Sequence, residues 1–299
     1  MKYNHEIIFE NETDHKELVE QHKKMIVDCV KQIAKTNFDF DIKLRIKIRD
    51  IEERENFVNK EVDAGYMRIE KDKSWTLCIG INSLERIEHD KGLDLDKVIY
   101  HEMAHIYDLY HIRHNKFYRL NPGFTTQKRH VDYAIHVGWV FWTEFWAYYQ
   151  MFVYLPFLKE YPTYFQLVKG YEKICKQYDK IKPFVFANDK SVQGECEDHI
   201  EKIEAFTYTV AKYLAGSLEG KKRYHKVLET KQNKKYMNAI DKITIKLAML
   251  STRMFVNPYG KGTARKLFDI GTYILENIYA KFLIFPKKKN GHIVLAYCT

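Results

Sequence analysis

The chain has 299 residues, of which 45% are hydrophobic and 30% are charged, and its formal net charge is +9. This composition is typical of a folded globular protein and excludes disordered, collagen-like and low-complexity classes. The five cysteines lie far apart and form no Cys-x-x-Cys pair, so we expect reduced thiols and no cysteine-based zinc site. The N-terminal stretch lacks an apolar signal core, which favours a cytoplasmic protein.

The charge changes sign along the chain. Residues 1–158 carry a net charge of −3, and residues 159–299 carry a net charge of +12. The change falls near Pro156, a residue type that also stops helices. We therefore predict two domains, 1–158 and 159–299.

The first predicted elements are a helix, a strand and a hairpin. Apolar residues recur at three- and four-residue spacing over residues 14–36 and predict an amphipathic helix. Residues 42–48 alternate between apolar and basic side chains, which predicts a strand with one buried face. Short strands near 64–71 and 74–82 predict a hairpin, and a helix is expected over 94–111.

The remaining pattern is mostly helical. Asn121-Pro122-Gly123 predicts a loop, and residues 131–155 predict a helix rich in Trp, Tyr and Phe. Its segment 137–158 is long enough to span a bilayer, but a lone Glu144 in mid-segment favours a buried helix and no membrane. Later helices and a final hairpin are expected at 163–178, 197–218, 236–256, 264–282 and 281–297.

The strongest chemical motif is VIYHEMAHIY at residues 98–107. His101 and His105 are four residues apart, so on a helix both imidazoles project from one face and can bind the same metal ion. Glu102 points about a quarter-turn away, where a carboxylate can take a proton from a metal-bound water without being a ligand. The motif predicts a centre for one Zn²⁺ ion.

Catalytic zinc needs a third protein ligand and an open fourth position. His111 would complete His-Glu-x-x-His-x-x-Asp-x-x-His, which is close to the metzincin pattern except that Asp108 replaces a glycine. If the helix continues through Asp108, His111 lies about 9 Å further along the axis than His105 and cannot reach the same ion. His114 opens a His-Asn-Lys-Phe-Tyr sequence that resembles the motif ending of SprT-like proteases.

Glu144 is the third candidate and the one we favour. It is an isolated acid in the aromatic run WTEFWAYY at residues 142–149. An unpaired carboxylate buried there would cost several kcal/mol, unless a cation meets it. The alternatives are a salt bridge to a distant Lys or Arg, or a solvent-facing position. Asp108 could accept the outer N–H of a zinc-bound imidazole, or it could be an exposed helix acid.

The two motifs resemble those of a known family. His-Glu-x-x-His, followed by a separate helix that carries Trp-x-Glu-x-x-Ala-x-Tyr, is similar to the gluzincin branch of the zincin metallopeptidases. The order of helix, strand and hairpin upstream also fits the zincin fold. The helix of Glu144-x-x-Ala147 resembles the ImmA/IrrE-like proteases that cleave phage-type repressors, although the DNA-binding helix pair sometimes fused to those proteases is not visible here.

The resemblance implies an α+β, zincin-like catalytic domain followed by a mostly helical C-terminal part. It implies zinc held by His101, His105 and Glu144, with Glu102 as general base and acid. The strand near 74–82 would be an edge strand, against which an extended peptide lies. The predicted function is therefore zinc-dependent hydrolysis of peptide bonds in a protein or peptide substrate.

Basic side chains concentrate between Lys221 and Lys246, where the sequence has nine Lys or Arg residues and two acidic residues. Such a run binds nucleic acid or an acidic partner, or it forms a solvated lysine-rich helix face. The alternative function is thus a catalytically inactive zincin-like module that binds nucleic acid or a regulatory protein through this basic C-terminal part.

Overall fold

A computed structural model describes residues 3–50, 65–70, 72–85, 87, 93–114, 129–155, 162–187, 189–219 and 234–298. The chain is α+β and divides into two compact units. The first unit comprises Met1–Tyr110 and Trp146–Leu158, and the second comprises His111–Phe145 and Lys159–Thr299. In this division residues 111–145 group with residues 159–299, and the two domains 1–158 and 159–299 stay a prediction. The predicted loop at 121–123 and most of the basic run lie outside the described residues.

The first unit contains a mixed four-stranded sheet in the order β1-β2-β4-β3. Its strands are β1 His5–Asn11, β2 Ile42–Arg49, β3 Gly65–Ile69 and β4 Trp75–Gly80. β1, β2 and β4 run parallel, whereas β3 pairs antiparallel with β4 as a hairpin. The predicted hairpin is confirmed. The expectation of an edge strand near 74–82 is wrong, because β4 pairs on both sides and β3 forms the edge of the described sheet.

The two faces of this sheet differ in chemistry. Alternate residues of β2 and β4 are fully buried on one face, namely Leu44, Ile46, Ile48, Leu77 and Ile79. On the other face β2 carries basic side chains that form salt bridges with acidic residues in β1 or directly after it. The N–O distances are 3.1 Å for Arg45–Glu10 and 2.6 Å for Lys47–Glu12. The alternation of apolar and basic residues in β2 therefore produces the half-buried strand that the sequence predicts.

Helices supply the rest of the first unit. α1 spans Lys16–Asn37, α2 spans Ile81–Glu85, α3 spans Leu93–Arg113 and α4 spans His130–Tyr154. α1 buries Val19, Ile26, Val30 and Ile33, which recur at the spacing of one helix face. α3 and α4 each cross from one unit to the other, since the boundaries fall after Tyr110 and Phe145.

The second unit is mostly helical, as predicted. Its later helices are α5 Tyr164–Phe186, α6 Gln193–Glu219, α7 Lys234–Phe255 and α8 Thr263–Asn277. A capping box starts α5, because Thr163 and Gln166 each accept a hydrogen bond from the other's backbone N–H. The final hairpin consists of β5 Ile284–Lys289 and β6 His292–Tyr297. Its turn residues Asn290 and Gly291 have φ values of 50° and 82°, as a two-residue hairpin turn requires.

The aromatic helix α4 packs within the second unit through its first half. Trp142 and Phe145 both lie edge-on to Phe255 of α7, at a ring-centroid distance of 5.7 Å. At Gly138 the backbone of α8 comes so close that a Cβ atom would lie 1.9 Å from the carbonyl oxygen of Leu267. This close approach explains how a helix of large aromatic residues is buried in a folded core.

Two further expectations bear on the class of protein. No helix in the described ranges, α4 included, combines the length and hydropathy needed to cross a membrane. The five cysteines all lie in the described ranges, and none of them forms a disulfide bond there.

Candidate metal centre

The His-Glu-x-x-His motif lies in the middle of α3, as the sequence predicts. Ile99, Met103 and Ile106 are fully buried and anchor this part of the helix in the core of the first unit. Between them His105 and Glu102 are also buried, with exposed fractions of 8% and 9%. Polar side chains in such a position need strong partners, since burial removes their hydration.

The two imidazoles converge on one point. The Nε2 atoms of His101 and His105 lie 3.0 Å apart, and the rings stand at 87° with centroids 4.5 Å apart. Two nitrogen ligands at about 2.0 Å from a tetrahedral zinc ion are separated by about 3.3 Å. The observed separation is close to that value, so both rings can bind the same ion without a change of backbone.

Glu102 completes the group. One ligand atom from each of His101, Glu102 and His105 lies within 4.8 Å of the others, and within the described part of the chain these three form the group that could hold a metal ion. A carboxylate at this distance can bind the ion or act on a water beside it. The structure therefore brings together the three residues that the motif predicts.

The surroundings of His105 keep its ring in the form that binds metals. Burial lowers the pKa of His105 to about 4, so its ring is neutral at pH 7. The ring of Tyr148, from the second half of α4, lies 4.5 Å from that of His101 and is tilted by 50°. Tyr148 therefore places an aromatic ring beside a motif histidine.

The edge strand β3 starts beside the His-Glu-x-x-His motif of α3. A Cβ atom on Gly65 would lie 2.4 Å from Cγ1 of Val98, 2.8 Å from the carbonyl oxygen of Cys78 and 3.7 Å from Cγ of Glu102. Only a residue without a side chain lets the strand approach α3 so closely. Sequence reasoning missed Gly65, although a glycine at the start of a predicted strand is the signal of a close backbone approach.

Asp108 is fully buried on α3, at 0% exposure. The alternative of an exposed helix acid is therefore wrong. The charge of Asp108 is close enough to Tyr107 to contribute to that residue's raised pKa, after the larger effects of burial and of Asp39. A role in orienting a histidine ligand stays a prediction.

The candidates for the third ligand belong to the second unit. α3 continues unbroken as far as Arg113, so His111 is part of the helix. Its ring stacks on that of Tyr259, with the ring centroids 4.8 Å apart. His114 is the exposed turn residue that follows the helix. Glu144 is half-buried on α4, and its charge contributes to the raised pKa of Tyr208 after the larger effects of burial and of Glu204.

Comparison with known proteins gives no relative. No protein-family model, no curated protein and no solved structure matches the chain. The resemblance to gluzincins thus rests on the residues of the two motifs, and the case for a metal centre rests on the geometry of α3.

Proposed function

We propose that this protein is a zinc-dependent peptidase. The observation that carries the proposal is the group formed by His101, Glu102 and His105 on one buried helix, under the start of an edge strand. Two imidazoles at tetrahedral spacing with a nearby carboxylate are the donor set that suits zinc among the common divalent ions. Bound zinc would supply a Lewis acid that activates water near neutral pH and polarises a carbonyl.

Glu144 is the proposed third ligand. On α4 it precedes Tyr148 by four residues, so the two side chains share one face of that helix. Tyr148 is the residue of α4 whose ring contacts His101. The unbroken course of α3 through Asp108 argues against His111, because six residues of helix add about 9 Å along the axis. These two features support Glu144.

Glu102 is the proposed general base. Its carboxylate lies within 4.8 Å of both imidazoles, so it can accept a proton from a water that attacks the peptide carbonyl. The same carboxyl group can then donate that proton to the leaving amine. Asp108, buried one turn beyond His105, would orient an imidazole by accepting its outer N–H.

β3 is the proposed substrate-binding edge, in place of the strand expected near 74–82. In the described sheet β4 pairs with one side of β3 and no described strand pairs with the other side, which is where an extended peptide would bind. Main-chain hydrogen bonds to such an edge give affinity without demanding a particular sequence. Because Gly65 packs over Glu102, a peptide along β3 would pass the general base.

The test measures metal content and hydrolysis in the full chain, purified without chelator. We expect about one zinc ion per chain and new peptide termini when a mixed peptide library is incubated with the protein and analysed by mass spectrometry. Glu102→Gln should keep the zinc and lose hydrolysis by a factor of about a thousand, since general acid-base catalysis is typically worth 10²–10⁴-fold.

The matched control is Glu17→Gln, which removes an exposed carboxylate from α1 and should change neither measurement. Protein without zinc, or an active Glu102→Gln variant, would overturn the proposal. Zinc-free protein that is retained on DNA in a salt-sensitive way would instead support the inactive binding module.

A further inference from the structure

A cavity of about 280 Å³ lies in the first unit, on another side of α3 from the metal centre. Tyr100, Met103, Ala104 and Tyr107 line it, and their spacing of three, four and seven residues defines one face of α3. The end of α1 and the end of α4 form the other walls. None of the three motif residues on α3 lines the cavity, so it is a separate site from the metal centre.

The lining is aromatic and uncharged. Five aromatic side chains contribute to it, and the lining contains no Asp, Glu, Lys, Arg or His. Two of them, Tyr100 and Tyr154, stack on each other with their rings 5.3 Å apart and 17° from parallel, so flat aromatic faces already pack together in this wall. Planar aromatic ligands pack well on such faces, because offset-stacked rings add to the gain from burial.

A few polar groups accompany the rings. Thr36, Asn37 and Gln150, whose side chains carry a hydroxyl or an amide, also line the cavity. The amide of Asn37 is held by Tyr154, whose hydroxyl donates a hydrogen bond to Oδ1 at 2.5 Å. Amides both donate and accept hydrogen bonds, so they can recognise a ligand whose uncharged edge also donates and accepts hydrogen bonds.

Size and charge narrow the ligand class. A cavity of about 150 Å³ holds benzene, so this one has room for a fused pair of rings with a small substituent. A charged ligand would lose its hydration without a counter-charge in the lining. We propose that the cavity binds an uncharged, planar bicyclic aromatic compound with an amide-like hydrogen-bonding edge.

The test compares three probes that share one ring system and differ in charge, namely 2-naphthamide, 2-naphthoate and 2-naphthamidine. Binding to the full chain is measured by isothermal titration and by saturation-transfer NMR, with EDTA present so that no probe binds through a metal. We expect the neutral amide to bind at least about tenfold more tightly than either charged probe. Absence of amide binding, or equal binding of all three probes, would overturn the proposal.

Substitutions locate the bound probe. Thr36 is an exposed residue of the lining, so Thr36→Trp should fill the outer part of the cavity without disturbing the core, and Ala104→Leu should fill the interior. The matched control is Gln32→Trp, which places the same new side chain one turn earlier on α1. Gln32 is exposed and does not line the cavity. We expect the affinity for 2-naphthamide to fall about tenfold or more in Thr36→Trp, and in Ala104→Leu if that variant folds. The affinity should stay unchanged in Gln32→Trp. Unchanged affinity in Thr36→Trp, or an equal loss in Gln32→Trp, would contradict this site.

Discussion

Glu144 is the side chain on which the proposed zinc centre depends. Two imidazoles and a carboxylate on consecutive turns of α3 can attract a metal, but catalytic zinc needs three ligands and an open position. In the second unit the charges of Glu144 and Glu204 both contribute to the raised pKa of the half-buried Tyr208. These two acids therefore share an electrostatic environment, while only Glu144 is proposed to bind zinc.

This difference gives a prediction for zinc affinity. We expect Glu144→Gln to weaken zinc binding by more than the roughly 10- to 100-fold that loss of an outer-sphere partner costs. Competition with a chromophoric chelator measures the affinity. Glu204→Gln is the matched control and should bind zinc as the parent does. Equal zinc affinities in the two variants would exclude Glu144 as a ligand.

His199 on α6 gives a prediction for pH dependence. Its Nε2–H donates to the carbonyl oxygen of Ile174 at 3.0 Å, so the neutral ring accepts the hydroxyl hydrogen of Tyr297 at Nδ1. Burial lowers the pKa of His199 in the folded chain. The unfolded chain therefore binds a proton at a higher pH, and stability declines as the pH falls below the unfolded-state pKa of about 6.5 towards the folded-state value.

We expect His199→Gln to be less stable than the parent at pH 7.5, and the difference in the free energy of unfolding to shrink as the pH is lowered to 5. Urea unfolding across this pH range measures the difference in the free energy of unfolding. This difference should change with pH by at most about 1.4 kcal/mol per pH unit. His130→Gln, at an exposed position, should leave the pH dependence unchanged. A difference that stays constant from pH 7.5 to 5 would show that protonation of His199 does not contribute.

At the scale of elements, β3 and α3 are coupled through Gly65. The strand approaches the helix so closely that any side chain at this position must displace Val98 or the backbone at Cys78. Overpacking of this kind typically costs about 1–3 kcal/mol. Since Glu102 also lies beside Gly65, a displaced strand would disturb both the proposed general base and the proposed substrate-binding edge.

We therefore expect Gly65→Ala to reduce peptide hydrolysis about tenfold or more, to lower stability by about 1–3 kcal/mol and to keep the bound zinc. Hydrolysis rates, urea unfolding and metal analysis measure the three effects. Gly194→Ala is the matched control, because a Cβ atom there would meet nothing within 4 Å. Full activity in Gly65→Ala would mean that β3 does not position Glu102 or the substrate.

The elements also show where sequence patterns succeed and fail. The helix expected over 131–155 spans His130–Tyr154, and the final hairpin forms with its turn at Asn290 and Gly291. β1 is not predicted, because three apolar residues in a row interrupt the alternation in HEIIFEN. The alternation of apolar and polar residues does not encode the order of strands in a sheet. The sequence therefore predicts a strand near 74–82 but does not show that this strand lies between two others.

For the whole molecule, metal binding and folding are linked. The proposed ligands His101 and His105 are held in place by the folded helix and its burial, so zinc should bind the folded chain in preference to the unfolded one. Zinc at about a hundred times its dissociation constant would raise the free energy of unfolding by about 2.7 kcal/mol.

We expect the melting temperature to rise when zinc is added to chelator-treated protein and to fall again with excess EDTA. Differential scanning calorimetry measures the change, and His105→Ala should abolish it. The same zinc response in His105→Ala would place the stabilising ion elsewhere in the molecule.

Local spacing already defines the pairing of His101 with His105 and the neighbouring position of Glu102, because 3.6 residues per turn put these side chains together on any helix. The same holds for the amphipathic helices and for the turn of the last hairpin. Contacts between distant segments are different, since no short pattern records them. The close approach of Gly65 to Glu102, the burial of Asp108, the grouping of residues 111–145 with the second unit and the aromatic cavity beside α3 all depend on how remote parts of the chain pack.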